Sequence, residues 1–356
     1  MARLGMPPPL LLQASSVRGP VHEVALYTAI TPSVIVPAVE VSVTLPAEGA
    51  TKVNQTSSDA LLNVPQDGAV PPDCDAPTLV DAVFTQLVPT GSATAEQAAS
   101  PGISYAQMLK VPVSSQILLF SASSLQSEII NPRNPRALFF NEDTYVGYVP
   151  GGVLEVAAAD PEVGPIFYVF DRLQPGGPFP RVQRGTKCFN CHGGTATKRL
   201  PGLIAESLLV SQAGSSLETY RRDEQGHQIP LENRFGGWHL TGKHHISGHK
   251  ANVFGLARGG KIEKTEVVPG QTWDTAKHLL PTSDILPHLV HEHQIGFENR
   301  LVRGIYIVRQ LKHDRKGMLG NAEQEEIDTW AQDFARYVLF ADEAKFPRDG
   351  IDGDPA

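Results

Sequence analysis

One pentapeptide constrains this chain more than any other feature: Cys188-Phe-Asn-Cys-His192, the single C-x-x-C-H in 356 residues. Two thiols three positions apart can each add to a vinyl group on neighbouring edges of one macrocycle. The residue that follows then places an imidazole beneath the iron, in line with known haem ligation by histidine. The spacing predicts one covalent haem c on Cys188 and Cys191, with His192 as the proximal iron ligand. Gly193 and Gly194 follow at once and let the backbone turn away close to a flat ring.

Two other chemistries use a C-x-x-C. A zinc site needs two further ligands, and no second C-x-x-C exists, so histidines would have to supply them. A dithiol redox motif belongs in a thioredoxin-like βαβ context, and the pattern around residue 188 does not read as one. Cys74 stands far from the pair, and three cysteines do not make a disulfide framework. It reads as a small core or surface residue.

The motif lies in a local reversal of charge. The chain carries a net −8, yet Arg181, Arg184, Lys187, Lys198 and Arg199 fall within nineteen residues that hold no acid. Such a rim can pair with haem propionates or steer an acidic redox partner protein; its plain reading is a solvated basic loop. The overall negative charge argues against nucleic-acid binding. No apolar run approaches the ~20 residues of a membrane-spanning helix.

An iron held by His192 has a second face to fill. Met1 and Met6 are terminal, and neither Met108 nor Met318 sits in a recognisable ligand context. Histidines cluster instead, at His239, His244, His245 and His249, in a loop flanked by glycines. The candidates for the distal position are His249 first and His244 second, then His293, a methionine, or an open face. In an open site, His244, His249 and Glu292 become candidate catalytic groups.

The pattern along the chain predicts an α+β fold. Residues 22–30 and 34–45 read as proline-punctuated edge strands, and 47–104 as loop with one short helix near 79–87. Short strands are expected at 111–120, 137–140, 145–149, 153–157 and 166–170, and a Gly-rich, mostly irregular haem-binding region over 193–281. Two helices close the chain. In the first, Leu286, Val290, His293, Phe297, Leu301, Ile305 and Val308 define an apolar face, with Asp284 as N-cap and Pro287 in the first turn. The second spans about 322–343, with Ile327, Trp330, Phe334, Tyr337 and Val338 inward and Asn321 with Gln324 as a capping box. The organisation is then an extension over 1–104, a haem domain over 105–345 and a flexible tail over 346–356.

Arg3, the apolar stretch 4–12 and Gln13-Ala14-Ser15 faintly resemble a secretory signal, interrupted by Pro7–Pro9. The expectation is a periplasmic or otherwise exported protein whose leader lies upstream or has been removed.

Further blocks flank the motif. Val111-Pro-Val-Ser-Ser-Gln116, Pro135-Arg-Ala-Leu-Phe-Phe-Asn141, Tyr145-Val-Gly147 and Leu154-Glu-Val-Ala157 precede it. Gly236-Gly-Trp238, Thr241-Gly-x-His244, His249-x-x-Asn252 and Glu292-His-Gln294 follow it. Over residues 105–340 the set resembles a largely uncharacterised family of bacterial single-haem c-type cytochrome proteins. By that resemblance His244 and His249 match motif histidines and His293 matches the Glu-His-Gln block, whereas His239 and His245 have no counterpart. The chain departs at His249-Lys-Ala-Asn252, where relatives usually carry Gly before the Asn.

The resemblance brings no activity with it, so the function classes stay open. A haem saturated by two protein ligands implies electron transfer. An open distal face implies an enzyme of peroxidase or oxygenase type, which a chain of this size can accommodate. A ligand sensor or structural module is the third class.

Overall fold

The structure, a computed structural model, describes residues 109–354 apart from 173 and 179–182. The expected edge strands, the 79–87 helix, Cys74, Met108 and Arg181 lie outside the described residues.

The protein is α+β. Its centre is a seven-stranded sheet built from β1 (Ile117–Leu119), β2 (Arg136–Phe140), β3 (Thr144–Tyr148), β4 (Leu154–Asp160), β5 (Gly164–Phe170), β6 (Gln183–Arg184) and β9 (Trp238–His239). The strands run in the order β6-β5-β4-β3-β2-β1-β9, and every pairing is antiparallel. Strands β2 to β5 form where Pro, Gly, Asn and Asp punctuate short apolar runs, as expected. The first expected strand is shorter, because Pro112 leads into a 3-10 turn at Val113–Ser115 before β1 begins.

The sheet is packed on both faces but not completely: β3 and β5 are nearly continuous buried runs, whereas β4 alternates buried and half-buried positions. One face carries Leu118, Phe139, Val146, Val156 and Tyr168. It packs against two hairpins, β7 (Ser207–Val210) with β8 (Ser216–Arg221) and β10 (Val253–Arg258) with β11 (Lys261–Glu266). The other face carries Ile117, Leu119, Phe140, Tyr145 and Phe167. Trp238 of β9 shares that face; over it lie Leu203, Ile246, Ile285 and Ile295, with Cys188 and Phe189 packed against the same cluster. Most of 193–281 is irregular, as expected, but two hairpins lie within it. Their outer strands hide in the sequence because they are polar: β8 reads SLETYR and β11 reads KIEKTE, both largely exposed.

Helix α2 (Ile285–Asp314) starts where expected, with the Asp284 carboxylate accepting the Leu286 N–H at 2.6 Å. The short α1 (Phe189–His192) belongs to the site below. The buried face of α2 is not the expected one. Leu286 and Val290 are 44% and 55% exposed, while Ile285, His288, His291, Glu292, Ile295 and Val302 face inward. Polar groups can occupy that face because they find internal partners. His288 Nε2 lies 3.0 Å from both the His239 carbonyl and Ser283 Oγ. Ser283 Oγ itself donates to the His239 carbonyl and accepts the Leu118 N–H. This knot ties the helix start to β1 and β9.

Helix α3 (Asn321–Val338) stops short of residue 343 and is capped one residue earlier than expected, by Glu323 accepting the Gly320 N–H at 3.0 Å. Val338 is exposed rather than inward. Trp330 packs so tightly on α2 at Gly304 that a Cβ there would stand 2.0 Å from the indole. Residues of the tail hydrogen-bond to the 241–243 segment. The Lys243 N–H donates to the Gly353 carbonyl, Asp352 returns a bond to Lys243, and Asp354 accepts the Thr241 hydroxyl. No described helix is long and apolar enough to cross a membrane.

Candidate haem-attachment site

The motif enters from the edge of the sheet. Beyond β6 the Gly185 N–H donates to the Phe167 carbonyl of β5. A 3-10 turn at Thr186–Cys188 then runs directly into the single turn of α1. Cys188 rests half-buried on the core while Cys191 is exposed, and neither thiol is in a disulfide. Burial, and then the Glu155 carboxylate, push the Cys188 thiol up to about 11, against a partial offset from Arg136. A dithiol redox motif depends on a depressed thiolate, so this environment opposes that alternative. Among the described residues no group of three or more His, Cys, Asp or Glu could hold a metal ion.

His192 is held in one orientation. Its Nδ1 lies 2.8 Å from the Gly202 carbonyl, and the Gly202 N–H donates back to the His192 carbonyl. A carbonyl can only accept, so Nδ1 carries the proton and Nε2 keeps its lone pair. Burial, the dominant cause, lowers the ring to about 4, which leaves the imidazole neutral and competent as a ligand at neutral pH. The ring packs on Phe167 with centroids 4.4 Å apart, and Phe189 meets the same phenyl edge-on.

The carbonyl that orients His192 is itself fixed from α2. Asn299 accepts the Leu203 N–H and donates to the Leu203 carbonyl, both at 2.8 Å. Gly202 is required in between, since a Cβ there would meet Asn299 Oδ1 at 2.7 Å and Thr197 Cβ at 2.9 Å. Outer partners of this kind set the tautomer and direction of a ligating histidine. The residues present thus fit a c-type haem: two unpaired thiols and a neutral imidazole whose far nitrogen has no described partner.

The expected distal residues fall in three places. His244 and His249 pack edge-on at 5.0 Å in the loop that sends Ile246 and Ala251 into the core shared with Cys188. His244 Nδ1 accepts the Ile246 N–H, whereas His249 Nδ1 is buried without a partner. His293 lies in the seam between α2 and α3. There its Nδ1 is 2.7 Å from His227 Nδ1 and its ring stacks on Tyr337 and Phe340. Glu292 is paired with Arg221 at 2.5 Å, with both side chains 4% exposed. His239 points to the opposite face of the sheet, toward Trp273, and His245 is exposed. Of the basic rim, Lys187, Lys198 and Arg199 are exposed beside the motif. Met318 is 78% exposed.

The sequence reading passed over Gly202, Asn299, Glu298, His288 and His291. The last two share a helical stripe with Glu292, at spacings of three and four, which is the signal that was available. No protein-family description, no curated protein and no solved structure matches the chain.

Proposed function

We propose that this chain is an exported c-type cytochrome that carries one covalent haem c and transfers electrons to or from a partner protein. The observation that carries the reading is the state of the motif: thiols on Cys188 and Cys191 in no disulfide, beside a His192 whose Nδ1 is tied to Gly202 and whose Nε2 has no partner among the described residues. When bound, the haem supplies a one-electron couple at its iron. Cys188 and Cys191 hold it, and His192 ligates from the proximal side. Gly202 and Asn299 keep that imidazole in one tautomer and one direction. Cys191 and Asn190 are exposed, so this side of the site meets solvent and a partner. Lys187, Lys198 and Arg199 beside it favour an acidic partner surface and raise the encounter rate at low salt.

An enzyme of peroxidase or oxygenase type is the second reading. Glu298 favours it, as a carboxyl on α2 that burial and then Asp143 push up to about 7, a group able to hold or release a proton near neutrality. The ferric haem protein separates the two. A low-spin spectrum that neither cyanide nor peroxide shifts is the expected result for a carrier. A high-spin resting state that peroxide converts would move the assignment to catalysis.

A further inference from the structure

We infer that His291, rather than His249, His244 or His293, is the side chain presented to the sixth coordination position of the haem iron. The inference rests on the haem reading above and assigns that site's second protein ligand.

His291 is 3% exposed and makes no hydrogen bond to a described residue, yet neither ring nitrogen is among the fully buried atoms left without a partner, so the nitrogens keep some open surface beside them. Its surroundings are aromatic, with Phe140, Trp238 and Tyr145 at 5.6, 5.5 and 5.8 Å between ring centroids. Such a cage fixes the ring; the Trp238 indole N–H is engaged by the Glu206 carbonyl, and the Tyr145 hydroxyl makes no described hydrogen bond. Iron is a partner that a neutral imidazole in an apolar cage can satisfy.

The position agrees. Cross-strand partners Phe140, Tyr145, Ala157 and Phe167 form one row across β2 to β5, and directly paired residues share a face. His291 stands over the Phe140 and Tyr145 end of that row, and His192 over the Phe167 end. Neighbouring strands lie about 4.8 Å apart, so the ends at Tyr145 and Phe167 are separated by roughly 10 Å on the same side of the sheet. Between them stands Ala157, the smallest side chain of the row. It is only partly buried although its strand is central, so this face is not closed over by protein at that point.

The other candidates are placed less well. His293 is engaged with His227 and enclosed by Tyr337 and Phe340. His244 accepts a backbone N–H. His249 is the strongest competitor because its Nδ1 lacks a partner, but it is only partly buried and packs on His244 rather than on the row.

The test uses the full chain matured with its haem, and covalent attachment is scored first by acid–acetone extraction. The expected wild type is haem-loaded and low-spin. His291→Gly should keep the covalent haem, turn high-spin and bind cyanide, and added imidazole should restore the low-spin spectrum, which a collapsed fold would not do. Should the glycine variant fail to fold, His291→Met serves, and is expected to replace the imidazole-ligated signature with a thioether-to-iron one in the near infrared. Tyr145→Phe, at a hydroxyl that is buried without a described partner, should stay low-spin. A haem-loaded wild type that is high-spin, a His291 variant with an unchanged spectrum, or loss of the low-spin state in His249→Ala or Tyr145→Phe instead would overturn the inference alone. A wild type without covalent haem would overturn it together with the haem reading.

Discussion

Replacing both Cys188 and Cys191 with alanine is expected to abolish covalent haem completely, leaving no colour in the protein after acid–acetone extraction. The two thiols sit at the ends of a short turn, one resting on the core beside Phe189 and the other at the surface. Neither supports the fold by a disulfide. The double variant therefore loses attachment without losing a cross-link, and its phenotype reports on the haem. Stability should fall as well, because a bound prosthetic group contributes its binding free energy to the folded state alone. Retention of extraction-resistant haem in the double variant would contradict the assignment.

The second large effect lies away from the motif. Arg221, on β8, and Glu292, on α2, form an ion pair at 2.5 Å with both side chains 4% exposed. Arg221 also donates to the Glu224 carbonyl. Removing one partner strands the other charge in the interior, so Glu292→Ala should lower stability by about 3–5 kcal/mol. Replacing both partners by apolar residues of similar volume should cost far less, because neither charge is then left behind. Urea denaturation of the single and double variants checks this, read as a fall in midpoint at unchanged slope. A single variant with the wild-type midpoint would show that water reaches the pair.

The parts of this molecule that were legible in its sequence are those whose causes are local. Strands β2 to β5 were readable because each is a short apolar run closed by a turn residue, and the start of α2 because Asp284 caps it. The candidate attachment site can be proposed from the sequence because its residues lie within five consecutive positions. What escaped depends on contacts between distant segments. Gly202 and Asn299 look ordinary until the fold brings a carbonyl to His192 and a carboxamide to Leu203. The face of α2 was misread because hydrophobicity was taken to mark burial. Here the buried stripe contains His288, Glu292 and His291, while Leu286 and Val290 face outward. The outer strands β8 and β11 are mostly polar, with one apolar aliphatic residue each, so they offer no sustained apolar alternation to detect.

One measurement tests the central claim most directly: the intact mass of the protein matured in an export-competent host with cytochrome c maturation machinery. The account predicts the polypeptide mass plus one haem, with fragmentation placing the added mass on the peptide that holds Cys188 and Cys191. A polypeptide of unmodified mass, or one whose added mass maps to another segment, would contradict it.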